Sequence, residues 1–199
     1  MNQTVAYLLR SAEGTLYALL DAARDGRIAR LLDQSPEEHA SLYEGPQGEE
    51  LAEVAPYLVR LEPHSPLLAE LLRRGWGNAW GLYLFSEEPF RLVRRHFRHF
   101  LKVRTEEGRE LYFRFYDPRV LRVFLPTCRP DEVLQLFGPV TRFVVEGTDA
   151  SKALIFSASP AGLHVEERSL LHLSASEAQS AQHHQASSGQ DQRPRGRVP

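Results

Sequence analysis

Five short apolar runs constrain this chain more than any other feature. Residues 16–20 (LYALL), 57–61 (YLVRL), 80–85 (WGLYLF), 140–146 (VTRFVVE) and 153–158 (ALIFSA) each have the length of a strand and are too short for buried helices. Between them stand helix-start signals, Ser65-Pro66 and Asp117-Pro118. A Ser or Asp side chain accepts a free first-turn N–H, and a proline in the first turn has no N–H to lose. Residues 101–105 and 110–115 read as a hairpin around Gly108. Interleaved strands and helices with at least one hairpin predict an α/β (α+β) fold, a mixed sheet with helices packed on it.

Punctuation places the remaining elements. Asp21 is positioned to cap a helix over residues 22–32, and residues 41–43 read as a short strand. Residues 44–50, rich in Gly and Pro, read as a loop. The helix after Ser65 carries the stripe Leu67, Leu68, Leu71 and Leu72, with Gly75 as its left-handed stop. Ser86 is placed to cap a helix running to about Phe100. Pro118 opens a helix with Val120, Leu121, Phe124 and Leu125 facing inward, and a short helix over 130–137 ends at Gly138-Pro139. Residues 1–173 thus form one domain, its elements starting near Thr15. Residues 174–199 contain five Ser and five Gln without an aromatic side chain, a composition expected to be a disordered tail.

Charge and cysteine count narrow the function. The 24 basic and 26 acidic side chains leave a net charge of −2, which excludes a globally basic nucleic-acid binder. The single cysteine, Cys128, cannot close an internal disulfide, and no signal peptide or long uncharged apolar run is apparent. A cytoplasmic protein with no membrane partner is expected.

The strongest local signal is the stretch 90–104. Arg91, Arg94, Arg95, Arg98 and Lys102 fall on one helical face, and Phe90, Val93, Phe97, Phe100 and Leu101 on the other. The basic face is either a solvated surface, a docking face for an acidic protein partner, or an anion or nucleic-acid binding module. His96 and His99 lack a third ligand nearby in sequence, so no metal is expected. Cys128 would need a histidine base to act as a nucleophile, and no catalytic or phosphate-binding motif is present. No catalytic residue and no cofactor is expected. Trp76 directly follows the expected helix stop and is either a partner anchor or core. In the run from Arg114 to Arg119, Asp117 and Pro118 are explained by capping. Arg114 and Arg119 are left to bond a carboxylate, either within the fold or on a partner.

These residues also carry a resemblance. FRFYDPRVLRVFLPTC (113–128) and FGPV (137–140) resemble segments of the adaptor or chaperone family of bacterial type VI secretion. YALLDAARD (17–25), LYEG (42–45), APYLVRL (55–61), SPLL (65–68) and GWGNAWG (75–81) match the same pattern in the same order, so the motif-bearing core spans 15–145. The resemblance implies a non-catalytic protein that binds a cargo effector protein in the producing cell and loads it onto the VgrG (valine-glycine-repeat) spike protein. Asp21, Trp76, Arg114, Asp117, Pro118 and Arg119 are motif positions, with fold roles implied for Asp21, Asp117 and Pro118. The partner-binding candidates are therefore Arg91, Arg94, Arg95, Arg98, Lys102, Trp76, Arg114 and Arg119. The alternative is an anion or nucleic-acid binding module built on the basic helix 90–104.

Overall fold

The computed structural model describes residues 2–104 and 107–171. The expected tail, residues 174–199, and part of the turn at 106–109 lie outside the described residues. In chain order the strands are β1 (Thr15–Asp21), β2 (His39–Ser41), β3 (Pro56–Arg60), β4 (Gly81–Ser86), β5 (Lys102–Arg104), β6 (Glu110–Tyr112), β7 (Val140–Glu146), β8 (Lys152–Ser159) and β9 (Gly162–Ser169). The helices are α1 (Asn2–Arg10), α2 (Arg27–Asp33), α3 (Gly45–Glu50), α4 (Pro66–Gly75), α5 (Phe90–Arg98), α6 (Pro118–Phe124) and α7 (Pro130–Phe137).

Seven strands form one sheet in the order β2-β3-β1-β4-β7-β8-β9, and β5 pairs with β6 in a separate hairpin. The α+β class stands, but the sheet is antiparallel at every pairing rather than mixed. Interleaved helices suggest parallel neighbours, and β3 and β4 do run in the same direction, joined through α4. Strand β1 lies between them and pairs antiparallel with both, with Leu19 opposite Leu58 on one side and Leu82 on the other.

The sheet sits in the middle of three layers. Against one face pack α1, α2 and α4, through Leu9, Ile28, Leu32, Leu68 and Leu72. Against the other pack α5, α6 and α7, through Val93, Phe97, Leu121, Val133 and Phe137. Central strands covered on both faces read as continuous apolar runs rather than alternating ones. This is why LYALL has no polar positions: Leu16, Ala18 and Leu20 point to one layer, and Tyr17 and Leu19 to the other.

Several local expectations hold. Ser65 Oγ accepts the Leu68 N–H at 3.0 Å, with Pro66 in the first turn of α4. Asp117 caps α6 in the same manner, and α7 ends at Gly138 with φ +49°. Others are corrected. Asp21 does not cap a helix. It ends β1, while α2 starts later, behind Asp25, whose carboxylate accepts the Arg27 N–H at 2.9 Å. Ser86 ends β4 and its hydroxyl donates to the Pro139 carbonyl at 2.7 Å, leaving Pro89 at the N-cap of α5. Gly75 is not left-handed. It lies in the last turn of α4, where a Cβ would come within 3.0 Å of the Trp80 side chain, and the positive φ values fall on Gly77 and Ala79. Residues 45–50 are helical rather than a loop. Phe124 is exposed rather than inward-facing. Two elements were not anticipated, α1, which buries Val5 and Leu9, and β9, which pairs with β8.

Candidate functional site

The motif residues converge where β1 and β7 end and β4 begins. Asp21, the last residue of β1, is 1% exposed. A carboxylate this deep needs a cation, and the Arg114 guanidinium donates to its Oδ2. Asp21 Oδ1 meets no donor among the described residues. Tyr43 and Tyr116 lie beside this pair, and burial pushes both phenols up. Asp117 is also buried. It accepts the Arg119 N–H at 2.9 Å as a cap, and the Arg119 side chain at 3.0 Å from Nε and 2.7 Å from Nη2. Burial pushes the Asp117 carboxyl up, but the bonds from Arg119 outweigh it and hold the group below the usual carboxylate range.

Glu146 closes the cluster from β7. Nearly buried, it accepts the N–H groups of Gly77 at 2.6 Å and Ala79 at 3.0 Å. Those residues form the turn between α4 and β4, with φ of +85° and +55°, and the carboxylate ties that turn to the end of β7. Burial pushes the Glu146 carboxyl above its usual range, against the pull of the two N–H groups. The space beside Glu146, Trp76 and Trp80 is about 10 Å³, room for a single water at most. The partners of these buried carboxylates come from within the fold, and Asp21 Oδ1 is the atom left without a donor among the described residues.

Open space lies beside it. A cleft of about 250 Å³ runs between residues 42–51 and the end of α5 with the β5–β6 hairpin. Tyr43, Leu51, Leu101 and Tyr112 supply apolar surface, and Glu44, Arg98, His99 and Lys102 supply charge and polarity. Tyr112 is 56% exposed. Lys102 Nζ lies 5.7 Å from its ring centroid, and Tyr43 meets the same ring edge-on at 6.3 Å.

The basic helix divides in two. Arg94 and Arg98 both reach Glu44, at 3.0 Å and 2.5 Å. Their Nε atoms donate to the carbonyls of Ser41 at 2.8 Å and Leu42 at 3.1 Å. They latch residues 41–44 onto α5. Lys102 pairs with Glu110 at 3.3 Å. Arg91 and Arg95 are exposed and make no ion pair among the described residues. Phe90, Val93 and Phe97 face inward as the pattern predicts.

The remaining candidates are placed as follows. Trp76 is core: it is 6% exposed, stacks on Tyr83, and its Nε1 donates to the Ala150 carbonyl at 2.9 Å, so it presents too little surface to anchor a partner. Arg114 and Arg119 bond carboxylates within the fold, though each keeps nearly half its side chain exposed. The Cys128 thiol donates to the Phe124 carbonyl at 3.5 Å, and burial, reinforced by Glu132, pushes its pKa up, the wrong direction for a nucleophile. His96 lies 2.9 Å from the Leu136 carbonyl and is packed under Gly138, whose hypothetical Cβ would fall 2.2 Å from the ring. Among the described residues no three His, Cys, Asp or Glu side chains group closely enough to hold a metal ion. No helix there is long and apolar enough to cross a membrane. Sequence reasoning missed Glu146, Tyr43, Glu44 and Tyr116. Glu44 and Tyr43 lay inside LYEG and Tyr116 inside the 113–128 motif, but Glu146 at a strand end gave no signal.

A family model described as a domain of unknown function (DUF4123) matches residues 16–135. No curated protein and no solved structure matches the chain.

Proposed function

This chain belongs to the DUF4123 family, and from that premise we propose that it is a non-catalytic adaptor that binds a type VI secretion effector and loads it onto the VgrG spike protein. The observation that carries the reading is the ordered motif set. All of the segments that resemble the type VI adaptors, from 17–25 to 113–128, fall within the matched span 16–135, and only 137–140 lies beyond it. The local chemistry agrees with a holding role. The buried carboxylates Asp21 and Asp117 face arginines of their own chain, and the Cys128 thiol is pushed away from reactivity. The open cleft and the hairpin, with Val103, Leu111 and Tyr112 exposed, offer surface for a polypeptide.

The test is co-expression with the products of the neighbouring genes, followed by purification on this chain. Stable retention of an effector and a spike protein without turnover is the expected result, and retention of neither defeats the reading. The alternative, an anion or nucleic-acid binding module on residues 90–104, has a narrower base. Arg94 and Arg98 are committed to Glu44 and two carbonyls, leaving Arg91 and Arg95 as the cations without an ion pair among the described residues. It predicts salt-sensitive retention on heparin, which the adaptor reading does not require.

A further inference from the structure

We propose that the cleft between residues 42–51 and the β5–β6 hairpin is the seat of an acidic, amphipathic segment of a protein partner, an aromatic or leucine side chain flanked by Asp or Glu. The proposal rests on the adaptor reading and gives it a location and a chemistry.

Size argues for a side chain rather than a cofactor. At about 250 Å³ the cleft is smaller than a typical small-molecule site and of the scale that takes one large apolar group. Its floor and walls are suited to such a group, with Leu51 and Leu101 half-buried and the Tyr112 ring more than half exposed. Charge argues for an acidic flank. Arg94 and Arg98 share the single carboxylate of Glu44, which leaves one positive charge in excess. On the rim Lys102 is paired with Glu110 and His99 is exposed, so the surplus comes from the Arg94–Arg98 pair and from Arg91 and Arg95, which extend the same helix surface without an ion pair among the described residues. An acidic segment gains from this field both in encounter rate and in register. The chain's own residues beyond the described part end with Arg193, Arg195 and Arg197, the wrong sign for this rim. A second copy of the chain would set one basic helix against another.

Short random peptides displayed on phage, selected on the full chain, provide the probe. The expected outcome is a consensus that joins an aromatic residue or leucine to acidic residues. Binding of those peptides should fall about tenfold or more for Tyr112→Ala and for Lys102→Glu, and should weaken as salt is raised. Both side chains are more than half exposed, so neither change empties core volume. Tyr112→Ala leaves the Lys102–Glu110 pair intact and carries the test alone if charge reversal loosens the hairpin. Absence of an acidic–apolar consensus, or equal binding by wild type and both variants, overturns the proposal. Co-purification separates it from the adaptor reading. If wild type and both variants retain the neighbouring gene products alike, the cleft is wrong and the adaptor stands. If the wild type retains neither, the adaptor reading falls and the peptide selection alone decides the cleft.

Discussion

Two neighbouring regions meet at Tyr43 and differ in kind. On one side, Asp21 and Asp117 are paired with Arg114 and Arg119, Glu146 is held by two backbone N–H groups, and the space beside Glu146 is only about 10 Å³. On the other, the cleft beside Tyr112 has about 250 Å³ of open space, with an exposed aromatic ring and a surplus of positive charge. The first region draws on three of the seven recognisable segments, 17–25, 75–81 and 113–128, and the second on one, 42–45. Dense charged motifs on this chain therefore mark where buried charges had to be satisfied, because a charge taken out of water without a partner costs several kcal/mol. Contact surface follows a different requirement, unpaired apolar and charged groups left facing solvent, and it needs no fixed sequence pattern.

The contrast is broken most directly at Arg114. Removing it leaves Asp21 buried with no cation and with an oxygen that already lacks a donor among the described residues. Arg114→Ala should lower the unfolding free energy by about 3 kcal/mol, the low end for a broken buried pair because the arginine itself is half-exposed. Urea unfolding measures this. A loss below about 1 kcal/mol, the level of an exposed pair, would mean the cluster is not closed. Peptide binding at the cleft should be unchanged in whatever fraction remains folded.

A smaller effect separates the two halves of the basic helix. Arg94→Glu with Arg98→Glu sets two acids against Glu44 and removes the bonds to the Ser41 and Leu42 carbonyls. The expected cost is about 1–2 kcal/mol, since charged donors are lost from a partly solvated site. Arg91→Glu with Arg95→Glu touches no such bond and should stay within about 0.5 kcal/mol of wild type. Thermal melts of the two double variants decide it, and equal melting temperatures would show that the latch carries no stability.

How legible the molecule was in its sequence depends on how local each cause is. The strand LYALL, the Ser65-Pro66 and Asp117-Pro118 helix starts and the inward face of α5 follow from a few adjacent residues, and all are present. Asp21 was misread because an Asp before a helical stretch looks like a cap, whereas its partner Arg114 lies 93 residues away. The antiparallel sheet was hidden because strand order, with β1 inserted between β3 and β4, leaves no local trace. The residues 45–50 look like a loop by composition, yet form a short helix packed near Tyr43, where a Cβ on Gly48 would come 3.0 Å from the Tyr43 backbone. At the candidate site, the arginines were visible as a face. Their division into latching and unpaired members depends on Glu44, 50 residues from Arg94.

The subtlest effect belongs to Glu146 and to pH. Its carboxyl is pushed up in the folded protein by burial, so the folded state takes its proton more readily than the unfolded chain, whose glutamate titrates near about 4.3. Between those two values the folded state holds more protons. Stability contributed by this group therefore falls as pH rises through the window, and is regained as pH is lowered from neutrality. Asp117 runs the other way. Its folded carboxyl is depressed, so its contribution is complete above the unfolded aspartate value near about 3.9 and is lost only as pH falls through the folded one. The two windows lie on opposite sides of about pH 4, which lets them be read separately. Glu146→Gln keeps an acceptor oxygen for the Gly77 or Ala79 N–H and does not titrate. Wild type should gain stability relative to this variant as pH is lowered from 7 towards about 4.5, by less than the Arg114 and latch effects. Peptide binding at the cleft, whose walls contain neither Glu146 nor Asp117, should respond to pH identically in both proteins. A flat stability difference would mean that Glu146 is not buried with its charge opposed, and a binding difference that follows the same window would join the closed cluster to the cleft as one responsive unit.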